Sequence, residues 1–103
     1  MNNMFELRRN TFGFEVRFDG TRTVGDFINS LSYLASEPNN WGYIVIYSES
    51  GIKLGIVKYV RSEIVAGALS NDVTSKEIKK IVADGGWGRL DYEITVVDKE
   101  VID

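Results

Sequence analysis

The sequence contains neither cysteine nor histidine among its 103 residues. Without cysteine the protein has no disulfides, and no thiolate can serve as a nucleophile or as a metal ligand. Without histidine, a serine nucleophile would need a lysine or a carboxylate as its base, and adjacent helical residues such as Ser75 and Lys76 do not face each other. We therefore expect no enzymatic activity, no metal and no other cofactor.

Proline and long apolar segments are also scarce. Pro38 is the single proline, and no repeat, low-complexity tract or block of like charge divides the sequence, so residues 1–103 are expected to form one domain. No apolar segment approaches the roughly 20 residues of a membrane span, and the first residues lack the apolar core of a signal peptide. Together these absences predict a soluble, cytoplasmic protein.

The charge balance is mildly acidic. Twelve Lys and Arg residues stand against 15 Asp and Glu residues, which gives a net charge of -3. Non-specific nucleic-acid binding is usually accompanied by a basic field, and a polyanion mimic would carry a much denser negative surface. The charge therefore argues mildly against non-specific nucleic-acid binding, and the acidic surplus is too small for a polyanion mimic.

The most informative segment is residues 41–60, in which two β-rich runs flank a polar turn that ends at Gly51. This pattern predicts a β-hairpin. By period-two counting, the first run carries apolar or aromatic side chains on both faces: Tyr43, Ile44, Val45, Ile46 and Tyr47. An ordinary half-solvated strand would be polar on one side, so one face of this hairpin is a candidate surface for a partner.

Alternation of apolar and polar residues predicts two further strands, at residues 12–18 and 90–96. Residues 4–8 form a weaker candidate for an additional short strand. Residues 62–70 fit neither the helical nor the strand period, and their structure stays open.

Capping signals and apolar spacing predict two helices. The first begins at Thr23 and stops before Pro38, with an apolar stripe toward the sheet. The second is expected over residues 75–84, because Thr74 and Glu77 have the spacing of a capping box. Its buried side would consist of Ile78, Ile81 and Val82.

The elements follow each other as strand, helix, strand, strand, helix, strand, which is the ferredoxin-like (βαββαβ) order. We therefore expect an α+β fold, with an antiparallel sheet of four to five strands and two helices on one face. A differently ordered antiparallel sheet of the same elements is the alternative. In the ferredoxin-like arrangement the second face of the sheet is free of helices.

Two motifs resemble functional sites, but neither of them predicts an activity. Residues 20–25 have the glycine spacing of a phosphate-binding Walker A loop, but Asp26 and Phe27 stand where a Lys and a Ser or Thr are required. Asp91 and Glu93 share one strand face as a carboxylate pair would, and the simpler interpretation is that both are solvated.

The leading functional hypothesis is a small non-enzymatic protein-binding module that acts as an inhibitor, an adaptor or a subunit by occupying a surface of a larger protein. Tyr and Trp are enriched at such interfaces. One such role is that of a phage or mobile-element inhibitor of a host defence nuclease, although no residue singles it out. The residues expected to bind the partner are Trp41, Tyr43, Tyr47, Lys53, Tyr59 and Arg61.

Three alternatives stay open for the same aromatics. They could stack the bases of a single-stranded nucleic acid beside Lys53 and Lys58, they could form the seam of a homodimer, or they could belong to the core. By period-two counting, Val57 and Tyr59 lie on the same face as Tyr43. Burial of these positions would indicate a core, and exposure would indicate a surface for a partner. Trp87 is a further candidate surface residue.

Overall fold

A computed structural model describes residues 5–11, 13–34, 41–86 and 88–98. The described part is mostly β and contains three short helices, α1 (Val24–Asn29), α2 (Leu31–Leu34) and α3 (Asn71–Thr74). The strands are β1 (Phe5–Asn10), β2 (Gly13–Phe18), β3 (Trp41–Tyr47), β4 (Lys53–Val60), β5 (Glu63–Ala66), β6 (Ile78–Gly86) and β7 (Arg89–Val96). Predictions that concern Met4, Phe12, Pro38 and Trp87 fall outside the described residues.

All seven strands belong to one mixed sheet, in the order β1-β2-β6-β7-β3-β4-β5. Strands β3 and β7 pair in parallel, and every other neighbouring pair is antiparallel. The prediction of an α+β, ferredoxin-like fold is therefore wrong. The sheet has more strands than expected, it is not purely antiparallel, and the second long helix of that fold is replaced by a strand.

The main error concerns residues 75–84, which were expected to be helical and instead lead into β6, between β2 and β7. A register irregularity follows Ile78. The extra residue of a β-bulge places the buried Ile78 and Ile81 three positions apart, which imitates a helical period. Val82, expected to be buried, is 39% exposed, whereas Ala83 is buried.

The capping box expected at Thr74 and Glu77 does not start a helix. Thr74 is the last residue of α3, whose N-cap is Ser70 with its hydroxyl accepting from the Val73 amide. Glu77 instead forms an isolated bridge with Thr23. Strand β6, which includes the β-branched Ile78, Ile81 and Val82, joins the middle of the sheet instead.

The start of the first helix is confirmed. The Thr23 hydroxyl accepts from the Asp26 amide at 3.2 Å, and the Asp26 carboxylate accepts from the Thr23 amide at 2.9 Å. The helix is nevertheless divided, because α1 ends at Asn29 and α2 begins at Leu31. Between them, the Ser30 N–H donates to the Phe27 carbonyl three residues earlier at 2.9 Å, and the buried Ser30 hydroxyl donates to the Asp26 carbonyl at 2.8 Å.

The hydrophobic core lies between the helices and one face of the sheet. Phe27, Leu31, Ile44, Ile81 and Ile94 are all buried in this one cluster. The Phe27 ring contacts those of Phe5 and Tyr92 edge-on, at 5.4 and 5.0 Å between centroids. None of the described helices is long and apolar enough to cross a membrane.

Candidate functional site

The second face of the sheet, opposite the core, carries no described helix, and we call it the helix-free face. Along β3, buried Gly42, Ile44 and Ile46 alternate with side chains that are only half-buried. The half-buried set points to the helix-free face because successive strand residues face opposite sides. By cross-strand register, the part of this face on β3, β4, β6 and β7 includes Trp41, Tyr43, Val45, Tyr47, Lys53, Ile56, Lys58, Val60, Lys80, Val82, Asp84, Arg89, Asp91, Glu93 and Thr95.

The centre of the helix-free face consists mainly of apolar side chains, with Glu93 among them. Val45 stands opposite Ile56 on one side and opposite Glu93 on the other, and Glu93 in turn stands opposite Val82. Ile56 and Val82 remain 42% and 39% exposed. The core does not use these side chains, so the protein leaves them available on its surface.

One end of this face carries a cluster of aromatic and cationic side chains. The rings of Trp41 and Tyr43 lie edge-on, 6.3 Å apart between centroids. The Arg89 guanidinium lies 4.9 Å from the Trp41 centroid and 5.4 Å from that of Tyr43, and Lys58 Nζ lies 5.2 Å from Trp41. Both cations are attracted by the aromatic quadrupole, which holds the cluster together.

Asp91 orients this cluster. Its carboxylate accepts the Arg89 Nε–H at 3.1 and 3.0 Å and the backbone N–H of Tyr43 at 2.9 Å. The hydrogen bond to Asp91 raises the pKa of the Arg89 guanidinium. Asp91 thus has a structural role beyond that of a solvated strand residue.

Four of the six predicted binding residues lie on the helix-free face. Trp41 and Tyr43 belong to the cluster, whereas Tyr47 stands opposite Lys53 at the other end of β3. The structure therefore distributes these four along the whole strand pair and does not gather them at one spot.

Tyr59 lies in the core, so the prediction that it faces a partner together with Tyr43 is wrong. Its side chain is 2% exposed, its hydroxyl donates to the Leu90 carbonyl, and burial raises its pKa. Val57 is buried on the same side. The reason is the register: Tyr43 pairs with Lys58, and a shift of one position moves a whole strand to the other face.

Arg61, the sixth predicted residue, lies in the two-residue turn between β4 and β5 and is exposed. Arg61 and Ser62 have φ values of 52° and 71°. Such hairpin turns favour Asn and Gly, which tolerate the left-handed region better. The Ser62 hydroxyl donates to the Leu31 carbonyl at 3.2 Å and helps to hold the turn.

A shallow cavity of about 420 Å³ lies at the Tyr47 end of the helix-free face. The Lys79 ammonium contacts the Glu49 carboxylate there at 2.7 Å, and this hydrogen bond lowers the pKa of Glu49. Glu49 also accepts the Asp98 amide at 2.8 Å. These groups satisfy one another, and within the described residues no group of three acidic side chains is placed to hold a metal ion.

Sequence reasoning missed Ile56, Val82 and Arg89 as members of this face. Arg89 had a usable signal, because it stands two residues before Asp91 on the same strand. Val82 had no such signal, because the helix-like spacing of Ile78 and Ile81 concealed the strand. Comparison with models of protein families, with curated proteins and with solved structures finds no match.

Proposed function

We propose that the protein acts without catalysis by binding another protein through the helix-free face, as an inhibitor, an adaptor or a subunit. The observation that carries the proposal is the exposure of Ile56 and Val82 at the centre of a sheet face that the core does not use. An antiparallel sheet that faces water is ordinarily polar on that side, and exposed apolar patches with polar rims are typical of interaction sites.

The aromatic cluster supports the same conclusion. Trp41, Tyr43 and Arg89 belong to the residue types that dominate binding energy at interfaces. Their mutual contacts, together with the hydrogen bonds that Arg89 donates to Asp91, restrict their rotamers before a partner arrives. Side chains ordered in this way lose less conformational entropy on binding.

Glu93 indicates which type of side chain the partner should present to this face. It lies between Val45 and Val82 in the cross-strand register and forms no ion pair with another described residue. A partner that covers this row removes water from the carboxylate, which is costly unless a cation replaces it. We therefore expect the partner to present an Arg or Lys here, surrounded by apolar side chains.

Single-stranded nucleic acid is the second candidate ligand. Trp41 and Tyr43 beside Lys58 and Arg89 resemble a stacking platform with cations for the backbone. Three carboxylates of the central strands, Asp84, Asp91 and Glu93, share the same face and would repel phosphates. We therefore place a protein partner first.

Site-specific photo-crosslinking tests the proposal in cells, because the reaction does not require a known partner. A benzoylphenylalanine introduced at position 56 should become crosslinked to another protein in cells that express the chain. The matched control carries the same group at position 33, since Tyr33 is 54% exposed on α2, across the sheet from this face.

The proposal predicts a defined protein adduct at position 56 and none at position 33. Equal labelling from both positions, or no adduct from position 56, would contradict it. An adduct that nuclease digestion removes would favour the nucleic-acid alternative. In that case a fluorescent oligothymidine should bind the purified protein with an affinity that falls steeply with salt.

A further inference from the structure

Strand β1 forms one edge of the sheet, and among the described strands it pairs with β2 alone. An edge strand presents a row of unpaired backbone N–H and C=O groups to its surroundings, and another chain can pair with it. Strand β2 lies between the β1 edge and the strands that carry the centre of the helix-free face, which are β6, β7, β3 and β4. A partner bound there would leave that centre accessible.

Charges alternate in a regular way on the helix-free side of β1 and β2. Glu6 stands opposite Arg17, and Arg8 stands opposite Glu15. Along the strands, Arg17 contacts Glu15 at 2.8 Å and Arg8 contacts Glu6 at 3.5 Å. Each charge thus has an opposite charge both beside it and across from it.

The pleat restricts how β1 could pair with β1 of a second copy. Residues opposite each other must share a face, so Glu6 and Arg8 can face only positions of the helix-free side. A pairing centred on Glu6 opposes two carboxylates, and one centred on Arg8 opposes two guanidinium groups. The antiparallel pairing centred on Leu7 instead places Glu6 of each copy opposite Arg8 of the other.

We propose that two copies of this chain associate through β1 in an antiparallel register with Leu7 opposite Leu7. In this register the alternation continues without interruption across the two copies, from Arg17 and Glu6 to Arg8 and Glu15 of the second copy. The half-buried Leu7 side chains meet on the core side, where they extend the apolar contacts of each core. Charge complementarity therefore favours the register centred on Leu7 over those centred on Glu6 and Arg8.

The proposed pairing also fixes the relative orientation of the two helix-free faces. Continuing a sheet across an antiparallel edge places the same faces on the same side, so the helix-free faces of both copies point in one direction. A partner that offers two sites would be held by both faces at once, which raises its apparent affinity without any new contact. The pairing itself does not depend on the proposed function, because it uses another surface.

Sedimentation velocity over a concentration series in low salt tests the pairing. The natural chain should form dimers, whereas Glu6→Arg and Arg8→Glu should each weaken dimerisation by at least about tenfold, because each replaces attraction by repulsion across the dyad. Mixing the two variants should restore dimers, since every Glu then faces an Arg. Lys53→Glu, on β4, is the control for charge change and should dimerise as the natural chain does.

A natural chain that stays monomeric at high concentration would overturn the proposal, and so would a mixture of the two variants that stays monomeric. A second measurement covers the case in which charge reversal unfolds the protein. Because the chain has no cysteine, Leu7→Cys should yield a covalent dimer with a short bis-maleimide, and Arg17→Cys on β2 should not. Equal crosslinking of both variants would contradict the register.

Discussion

The Asp91 carboxylate accepts the backbone N–H of Tyr43 at 2.9 Å, across the parallel junction between β3 and β7. The same carboxylate holds Arg89 against the rings of Trp41 and Tyr43. One acidic side chain therefore connects the pairing of two central strands with the arrangement of the surface cluster. Substitutions at Asp91 should therefore affect both the strand pairing and the surface cluster.

The first prediction uses this double role. Asp91→Ala removes the acceptor of the Tyr43 amide and the partner of Arg89, and it should lower the free energy of unfolding by about 1 to 3 kcal/mol. Asp91→Asn keeps an acceptor oxygen and should cost less than half as much. Urea denaturation measures both variants, and equal losses would show that the hydrogen bond to Tyr43 contributes little.

The second prediction concerns alkaline pH. Burial raises the pKa of Tyr92 from its ordinary value of 10.0 to about 12, and it raises that of Tyr59 as well. The folded state thus holds both phenolic protons more tightly than the unfolded state does. Their contribution to stability is fully present below pH 10.0 and is lost as the pH rises toward about 12.

Urea denaturation at successive pH values up to 12 should therefore show a falling midpoint over this window. Tyr92→Phe should reduce the slope, because the phenol that titrates is gone. Tyr33→Phe is the control, since this tyrosine is 54% exposed and should leave the slope unchanged. If the midpoint of the Tyr92→Phe variant fell with pH as steeply as that of the natural chain, the loss of stability would come from groups other than Tyr92.

The third prediction addresses the turn between β4 and β5. Arg61 and Ser62 both have positive φ values, for which Asn and Gly are better suited. Arg61→Asn combined with Ser62→Gly should raise the free energy of unfolding by about 0.5 to 2 kcal/mol, reduced by the lost hydrogen bond from Ser62 to the Leu31 carbonyl. A destabilised double variant would mean that this hydrogen bond outweighs the backbone strain.

The fourth prediction distinguishes a strand from a helix at residues 78–86. Ile81 is 2% exposed and Val82 is 39% exposed. Ile81→Ala should therefore cost about 2 to 5 kcal/mol, whereas Val82→Thr should change stability by less than about 0.5 kcal/mol. A helix with both residues in the core would make both changes costly.

The sequence predicted those elements whose period is uninterrupted. Strand β7 alternates without a break, and buried Leu90, Tyr92, Ile94 and Val96 follow one another on the core side. The hairpin of β3 and β4 and the N-cap at Thr23 were also predictable from local signals. In each case, the structure that the local sequence favours is the one observed in the folded protein.

The remaining elements depend on long-range pairing. The bulge after Ile78 gives β6 a helix-like spacing, and β5 has four residues that are all exposed, so neither shows a strand period. The side of Tyr59 depends on the register of the hairpin, which the turn sets and the pattern of β4 alone does not reveal. For this reason the surface was predictable at Tyr43 and not at Tyr59.

The most direct test of the proposed function compares two tyrosines on opposite sides of the sheet. Once photo-crosslinking has identified the partner, its affinity for Tyr43→Ala and for Tyr33→Ala can be measured by titration calorimetry, with folding checked by circular dichroism. We predict that Tyr43→Ala weakens binding by about 1 to 4 kcal/mol and that Tyr33→Ala leaves it unchanged. A folded Tyr43→Ala variant with the natural affinity would contradict the account.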